Sequence, residues 1–232
     1  MKTLEGNLKT TIIADDDLKH VYEICREFDA EGDEVILLTL YPTLVEPNTF
    51  DLSSIHLMNH AFDKGLQLKK VHFVYLFSKV VSVKMSTRGL KVDKENLNYL
   101  REIIEKLPDA KIIISFGSSM EKCPAVIESK VRLFEILKEL RMNDPLWQIT
   151  ADGVEEESPH ILFLGIRHNN KKWKLCHYVV PFKYTELGYE QYLANKEEAR
   201  ARFLENVLGK RETAKVETEE KPKKGKKKND NS

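Results

Sequence analysis

The sequence predicts an α/β fold: a three-layer α/β/α domain with a mainly parallel four-stranded central sheet, an appended antiparallel β-hairpin and a C-terminal helix. Two observations predict this class. Short continuous apolar runs, typical of strands covered on both faces, alternate with amphipathic segments of helical period. This alternation favours right-handed crossovers between neighbouring parallel strands. After Pro159 the alternation stops, and two short segments joined by a polar turn indicate the hairpin.

The first third of the chain is predicted to supply two helices and two strands. Residues 15–17 are aspartates, which offer N-cap acceptors for a helix over residues 18–28 with apolar side chains at spacings of three and four. The continuous apolar run at residues 35–40 predicts the first strand. A helix capped by serine is expected over about residues 53–65, and a second buried strand at residues 71–77.

The middle of the chain repeats this alternation. Residues 95–107 form an amphipathic pattern with its apolar residues on one side, which predicts a helix. A proline-containing turn leads to a third strand at residues 111–116. A long helix is expected over about residues 124–142, and a short fourth strand at residues 146–150. These four strands would make up the central sheet.

The C-terminal part differs in pattern and composition. Residues 161–167 and 173–180 are predicted to be the two strands of the hairpin, and residues 186–208 a charged amphipathic helix. Residues 1–209 would then form a single domain. Residues 210–232 are rich in glutamate and lysine and poor in large apolar residues, which predicts a disordered Lys-rich tail.

The formal charge of zero conceals an uneven distribution. The 232 residues include 37 Lys and Arg against 37 Asp and Glu. Residues 210–232 contain nine basic and five acidic residues, so the tail carries a net +4 and the rest of the chain −4. An acidic body counts against extended duplex binding, which normally depends on basic stripes. Two interpretations of the tail therefore stay open: it contacts nucleic acid or acidic partners, or it is a solubilising disordered end. Any nucleic-acid contact of the body is expected to be local, at a single base.

The composition excludes several classes of protein. A hydrophobic content of 41% is too high for a wholly disordered chain. No apolar run approaches the roughly 18 residues of a membrane span, and the polar N-terminus lacks the core of a signal peptide. The widely spaced Cys25, Cys123 and Cys176 support neither a disulfide framework nor a cysteine-rich zinc site. A reduced, cytoplasmic protein without membrane contact is expected, and its oligomeric state is left open.

Polar residues follow the predicted strands at their carboxyl ends, where open parallel sheets bind ligands. They are Tyr41, Pro42 and Thr43 after the first strand, Ser78 after the second, Gly117, Ser118 and Ser119 after the third, and Asp152 after the fourth. Glu46, Asp51 and His160 lie on loops leaving this edge. Carboxylates, hydroxyls and an imidazole can bind a polar ligand and activate water. Each is also an ordinary turn or cap residue, so the prediction depends on their convergence at one edge.

The motifs predict neither a cofactor nor a metal site. Gly117-Ser118-Ser119 lacks the surrounding residues of a phosphate-binding P-loop. His56 and His60 are four residues apart on a predicted helix, but no glutamate follows His56 as a zinc-protease motif requires. We expect both histidines on a partly exposed helix face.

Five short motifs occur in an order typical of one protein family. They are Pro42-Thr43 with acids four and nine residues past the proline (Glu46 and Asp51), Tyr75-Leu76-Phe77, Asp93 with Glu95 and Asn96, Phe116-Gly117, and Thr150, Asp152 and Gly153 followed by His160. Over roughly residues 12–166 the chain resembles the bacterial, archaeal and phage family known as domain-of-unknown-function 1643. Tyr41 and Tyr75 stand where that family has asparagine. Ile161 follows His160 where the family has proline, and an acidic insertion precedes this pair.

The family has no established activity, so function is inferred from a more distant resemblance, to the uracil-DNA-glycosylase-like superfamily. This resemblance implies that Glu46 or Asp51 orients a water toward an N-glycosidic carbon and that His160 stabilises the departing base. Such enzymes act on a base extruded from the duplex. We therefore expect an enzyme or binding protein that acts on a nucleobase, nucleotide or nucleic acid. The alternative is a non-catalytic nucleic-acid or protein interaction module of a mobile-element or defence system, with the tail as its contact.

Overall fold

The described part of the chain contains strands and helices in alternation, with antiparallel additions at both ends of the sheet. A computed structural model describes residues 1–82, 84–142, 144–155 and 158–219. The strands are β1 (Leu8–Ala14), β2 (Val21–Phe28), β3 (Asp33–Thr39), β4 (Leu68–Tyr75), β5 (Lys111–Ile114), β6 (Trp147–Ala151) and β7 (Trp173–His177). The helices are α1 (Leu52–His60), α2 (Lys94–Lys106), α3 (Pro124–Leu140), α4 (Ile161–Arg167) and α5 (Glu186–Glu219), with a 3-10 turn at Phe182–Tyr184.

One mixed sheet contains these strands in the order β1-β2-β4-β3-β5-β6-β7. The strands β4, β3, β5 and β6 at its centre run parallel to one another. β1 and β2 on one side, and β7 on the other, pair antiparallel with their neighbours. The predicted α/β class is confirmed, and in the described part of the chain the sheet has seven strands. Because the parallel strands end at the same edge, the loops that follow them meet there.

The segment predicted as the first helix is a strand, β2, so that prediction is wrong. β2 lies between β1 and β4 and pairs antiparallel with both. Val21, Cys25 and Phe28 fit a helical spacing, but the intervening Glu23 and Arg26 are buried as well. A strand inside a sheet can bury both of its faces, so the spacing of its apolar residues does not reveal a period of two.

The aspartates before β2 belong to a turn. Oδ1 of Asp15 accepts hydrogen bonds from the backbone amides of Lys19 and His20, each at 2.8 Å. These bonds close the connection between β1 and β2, a role for which aspartate is as well suited as for a helix cap. β1 itself was not predicted. Its residues are exposed or half-buried, as expected of an edge strand, so its apolar pattern is weak.

The predicted hairpin is wrong in its first half. Residues 161–167 form α4, whereas β7 is a strand that pairs antiparallel with β6. The periodicity of a short apolar run does not distinguish a buried strand from a buried helix. Tertiary packing makes this segment a helix, because the buried Ile161 and Leu164 are three residues apart and fall on one face of a helix.

His60 is buried, which corrects the expectation of a partly exposed position. Its ring stacks on Trp173, with the ring centroids 4.1 Å apart. Nδ1 of His60 lies 2.8 Å from Oδ2 of Asp63, and Nε2 lies 3.2 Å from Oδ1 of Asn169. These contacts make His60 a packing residue at the end of α1. His56 is half-buried and contacts α4.

The contact between α1 and α4 is close at Gly165, and this gives a prediction for stability. A Cβ at Gly165 would lie 2.1 Å from Cγ and Cδ2 of His56 and 2.7 Å from its Cβ. Gly165→Ala is expected to lower the free energy of unfolding by about 1–3 kcal/mol, despite the higher helix propensity of alanine. Urea unfolding followed by circular dichroism measures the change. Gly6→Ala is the control, since a Cβ there has no atom within 4 Å. If both variants unfolded at the same urea concentration, the close contact between Gly165 and His56 would be contradicted.

The last helix extends further than predicted. α5 runs to Glu219, ten residues into the segment predicted as a disordered tail. Residues 220–232, with the Lys-rich end, lie outside the described residues. The chain divides into a compact unit Met1–Tyr189, which contains the sheet, and a second unit that begins at Glu190. Among the helices described, none has the length and apolar character needed to cross a membrane.

Candidate functional site

A cavity of about 400 Å³ lies where β3 ends, at the edge of the sheet where the sequence predicts a site. The ends of β3 and β4, the loop before α1 and the start of α4 contribute to its wall. Its polar lining residues are Thr39, Tyr41, Thr43, Asp51, Ser53, Tyr75, Ser82, Ser119 and His160. Apolar side chains make up the remaining wall. This size and mixture are typical of small-molecule sites.

Asp51 is held in the cavity wall as the N-cap of α1. Its Oδ1 accepts a hydrogen bond from the Ser54 amide at 2.8 Å, and its Oδ2 accepts one from the Ser54 hydroxyl at 3.1 Å. Aspartate is favoured at this position because its short side chain satisfies an amide that lacks a partner in the helix. The cap therefore fixes the carboxylate where it meets the cavity.

His160 occupies the equivalent position at the start of α4. Its Nδ1 accepts a hydrogen bond from the Leu162 amide at 3.1 Å. Because Nδ1 acts as an acceptor, the neutral ring carries its proton on Nε2. Burial lowers the pKa of His160 below its ordinary value, and the negative charge of Asp51 opposes this effect. The site thus combines a carboxylate with a neutral imidazole that can donate through Nε2.

Gly117, which follows β5, packs closely against His160. It adopts a φ of +60°, a conformation that favours glycine, and its amide donates to the carbonyl of Ser158 at 3.0 Å. A Cβ at this position would lie 2.8 Å from Cβ of His160. Gly117 therefore acts by allowing the chain that carries His160 to approach the end of β5.

Three aromatic residues are among those that line the cavity. Phe73 and Tyr75 lie on β4 and are 4% and 5% exposed, whereas Tyr41 follows β3 and is half-buried. Burial, together with the charge of Asp51, raises the pKa of Tyr75. Its ring therefore stays a neutral phenol. Aromatic side chains of this kind can contact the apolar part of a ligand.

Arg26 on β2 holds the loop that leads to Asp51. Its Nη1 donates to the carbonyl of Pro47 at 2.7 Å and to the hydroxyl of Thr10, and its Nη2 donates to the carbonyl of Thr49 at 2.7 Å. The guanidinium carbon lies 4.1 Å from the centroid of the Phe50 ring. A planar cation with several donors is suited to joining two carbonyls of one loop.

Arg26 was missed by the sequence reasoning because its segment was predicted to be a helix. On a strand, Arg26 shares a face with Ile24 and Phe28, two residues before and after it. A single arginine between two apolar residues of one strand face is a signal of burial. It could have been used only if β2 had been recognised as a strand.

Five of the residues predicted at this edge line the cavity: Tyr41, Thr43, Asp51, Ser119 and His160. Ser118, the neighbour of Ser119, does not line it. Glu46 is exposed and lies outside the lining; its backbone carbonyl accepts from the amide of Thr49 at 3.2 Å. Pro42 is buried, and its carbonyl accepts from the amide of Val81 at 3.0 Å.

Ser78 and Asp152 are engaged elsewhere. The hydroxyl of Ser78 donates to Oδ2 of Asp93 at 2.7 Å and lies 2.8 Å from Nδ1 of His20, which ties the end of β4 to the start of α2. Asp152 is exposed and forms an ion pair with Lys174 at 3.0 Å, and this lysine lowers its pKa. Both residues follow strands as predicted, but their side chains stabilise neighbouring turns.

Comparisons with protein-family models, with curated proteins and with solved structures found no match to this chain. The resemblances to the domain-of-unknown-function 1643 family and to the uracil-DNA-glycosylase-like superfamily stay predictions. The function of the cavity therefore has to be inferred from its geometry.

Proposed function

We propose that the protein hydrolyses the N-glycosidic bond of a nucleoside, a nucleotide or an unpaired nucleotide of nucleic acid. The observation that carries this proposal is the placement of Asp51 and His160 on the wall of one cavity, each fixed as the N-cap of a different helix. One group is an acceptor and the other a donor. Glu46, the second acid implied by the resemblance, is exposed outside the cavity, which favours Asp51 as the functional carboxylate.

The two groups suit the two charges that develop in this reaction. Asp51 accepts a hydrogen bond from a water and orients its oxygen toward the anomeric carbon, where positive charge develops. The bond from this carbon to the base nitrogen breaks as the bond to the water oxygen forms. The electron pair leaves with the base, and Nε2–H of His160 stabilises the resulting negative charge. The proton from the water finally neutralises the base.

The charge of the chain supports a small or unpaired substrate. Residues 1–209 carry a net charge of −4. Proteins that bind an extended duplex normally present a basic face to the phosphates. The aromatic walls of Tyr41, Phe73 and Tyr75 can stack on a single base without such a face. The non-catalytic alternative depends on the Lys-rich tail, whose residues beyond 219 the structure does not describe, so it also stays a prediction.

Base release tests the proposal directly. The protein is incubated with ribonucleosides, deoxynucleosides, their 5′-monophosphates and single-stranded oligonucleotides containing uracil or altered bases, and free base is measured by chromatography. Asp51→Asn and His160→Gln are each expected to lower the rate by about 10²–10⁴-fold, the usual contribution of a positioned acid or base. Asparagine retains the capping function at position 51, so the variant should remain folded.

Asp109→Asn is the matched control, because Asp109 is an exposed acid in the turn before β5, at the opposite end of that strand from the cavity. It should leave the rate unchanged. The proposal is contradicted if the wild-type protein releases no base from any of these substrates, or if both cavity variants release it at the wild-type rate.

A further inference from the structure

A second cluster of reactive side chains lies on the sheet, away from the cavity. Glu23 and Cys25 are two residues apart on β2, so they share one face of the sheet, and His72 is the cross-strand partner of Cys25 on β4. The three residues are 6%, 8% and 5% exposed. One nitrogen, oxygen or sulfur atom from each lies within 4.8 Å of the other two. Among the described residues, this cluster shares no lining residue with the cavity of Asp51 and His160.

We propose that Glu23, Cys25 and His72 bind a zinc ion, with a water molecule as the fourth ligand. The ligands would be a carboxylate oxygen of Glu23, Sγ of Cys25 and Nδ1 of His72. A thiolate, an imidazole and a carboxylate form a donor set that suits Zn²⁺ and disfavours Mg²⁺ and Ca²⁺, which prefer oxygen ligands. Three protein ligands and one open position are the arrangement found in zinc sites that bind water or substrate.

The groups around the cluster are those that orient metal ligands. Nε2 of His72 lies 2.9 Å from Oε1 of Glu34, which in turn pairs with Nζ of Lys70 at 2.8 Å. A carboxylate that accepts from one ring nitrogen leaves the other nitrogen free to bind a metal. On the opposite side, the hydroxyl of Tyr99 donates to the second oxygen of Glu23. Both side-chain ligands with a second polar atom therefore have that atom hydrogen-bonded.

A metal ion would take the place of a proton between two of the ligands. Nδ1 of His72 lies 2.6 Å from Oε1 of Glu23. Zinc bonds of about 2.0–2.2 Å to nitrogen and oxygen in a tetrahedron would need these atoms to separate by less than about 1 Å. In the metal-free chain, burial alone would lower the pKa of His72, but hydrogen bonds with Cys25, Glu23 and Glu34 raise it to about 10.

The cluster is accessible from one side. Its three residues line a pocket of about 350 Å³, whose wall also contains Lys9 and Lys106. The pocket provides a route for the ion and room for the water ligand, so the fourth position of the metal faces solvent. Zinc binds the deprotonated forms of the Cys25 thiol and of Nδ1 of His72, because only these forms are ligands.

The test uses the full-length protein after treatment with a chelator. Titration with Co²⁺ is expected to give a thiolate-to-cobalt charge-transfer band that saturates at one ion per chain, and Zn²⁺ should abolish the band by displacement. Cys25→Ser is expected to lose the band. Cys176→Ser is the matched control, because this cysteine lies on β7, and it should retain the band.

Two further measurements keep the test informative if a ligand variant folds poorly. Glu34→Gln retains all three ligands and is expected to weaken zinc affinity by about 10–100-fold, as loss of an outer hydrogen bond does in other sites. Zinc should also raise the melting temperature of the wild-type protein.

Wild-type protein that binds neither ion, or Cys25→Ser protein that retains the band, would overturn the proposal. The cluster would then be only a hydrogen-bonded Glu–His–Glu network. Neither readout depends on hydrolysis in the other cavity.

Discussion

Arg26→Met is expected to lower the free energy of unfolding by about 3 kcal/mol. Arg26 is fully buried and donates to the carbonyls of Pro47 and Thr49. Methionine fills much of the same volume but removes these bonds, and a hydrogen bond to a charged group contributes about 1.5–3 kcal/mol. The loss should be visible as a lower midpoint in urea unfolding. The backbone amides of residues 48–51 should also exchange with solvent faster, since the loop loses its attachment to β2.

Two other substitutions test whether this loss of stability comes from the hydrogen bonds of Arg26. Arg26→Lys keeps the charge, but one ammonium group cannot reproduce the fork that joins two carbonyls, so most of the loss should remain. Arg132→Met is the control: Arg132 is exposed and pairs with Glu128 on its own helix, an interaction that contributes little. If Arg26→Met and Arg132→Met unfolded at the same urea concentration, the role assigned to Arg26 would be wrong.

Lys130→Met is expected to raise the stability of the protein by about 2 kcal/mol at pH 7. Lys130 on α3 is 2% exposed, and none of the ion pairs among the described residues includes it. Its Nζ donates to the hydroxyl of Tyr184 at 3.1 Å and lies 4.9 Å from the centroid of the Phe116 ring. Burial lowers the pKa of Lys130 to about 8, an effect that the charge of Glu121 opposes and that of Lys183 increases.

The sign of the pH dependence follows from this lowered pKa. In the unfolded chain the pKa of lysine is 10.5, so between pH 8 and 10.5 the unfolded chain binds more protons than the folded one. Stability is therefore lost as the pH falls from 10.5 through 8, by about 3 kcal/mol in total. Methionine removes this loss but also removes the contacts with Tyr184 and Phe116, which leaves the smaller net gain.

Urea unfolding at intervals from about pH 6.5 to 9.5 checks this expectation. The gain from Lys130→Met should be largest at the acidic end and shrink as the pH rises. Lys138→Met is the matched control, because Lys138 is an exposed lysine on the same helix, and its effect should not vary with pH. If the stability gained by Lys130→Met did not vary with pH, or if the variant were less stable at pH 7, the buried ammonium of Lys130 would not be the cause of the predicted difference in stability.

A strand or helix was predictable where the apolar residues of its own segment show which of its faces are buried. The residues from Val35 to Leu38 on β3 are fully buried, so the strand is a continuous apolar run that needs no further context. α2 and α3 are long enough for their apolar faces to repeat over several turns. β2 is buried on both faces and α4 is short, and for them local spacing fits a helix and a strand equally well.

The candidate site was predictable to the extent that it depends on loops leaving the carboxyl ends of parallel strands. Asp51 and His160 were expected at this edge because they lie on such loops. Their capping of α1 and α4 was not expected, since serine was predicted to cap the first of these helices and residues 161–167 were predicted to form a strand. The same argument did not separate them from Ser78 or Asp152, which also follow strands. Those two side chains find partners in Asp93 and Lys174, and no local pattern contains such pairings.

The residue pattern alone was thus sufficient for the α/β class and for the edge of the sheet where a cavity forms, because strand burial leaves its mark within one segment and the loops after parallel strands meet at one edge. Strand order, register and side-chain pairing depend on contacts between segments that are distant in the chain. Arg26 reaches the loop before α1 because β2 lies inside the sheet. Likewise, Glu23 and Cys25 meet His72 because β2 pairs with β4 in one register. The free energy of these contacts belongs to the assembled sheet, so the residue pattern of either strand alone could not reveal them.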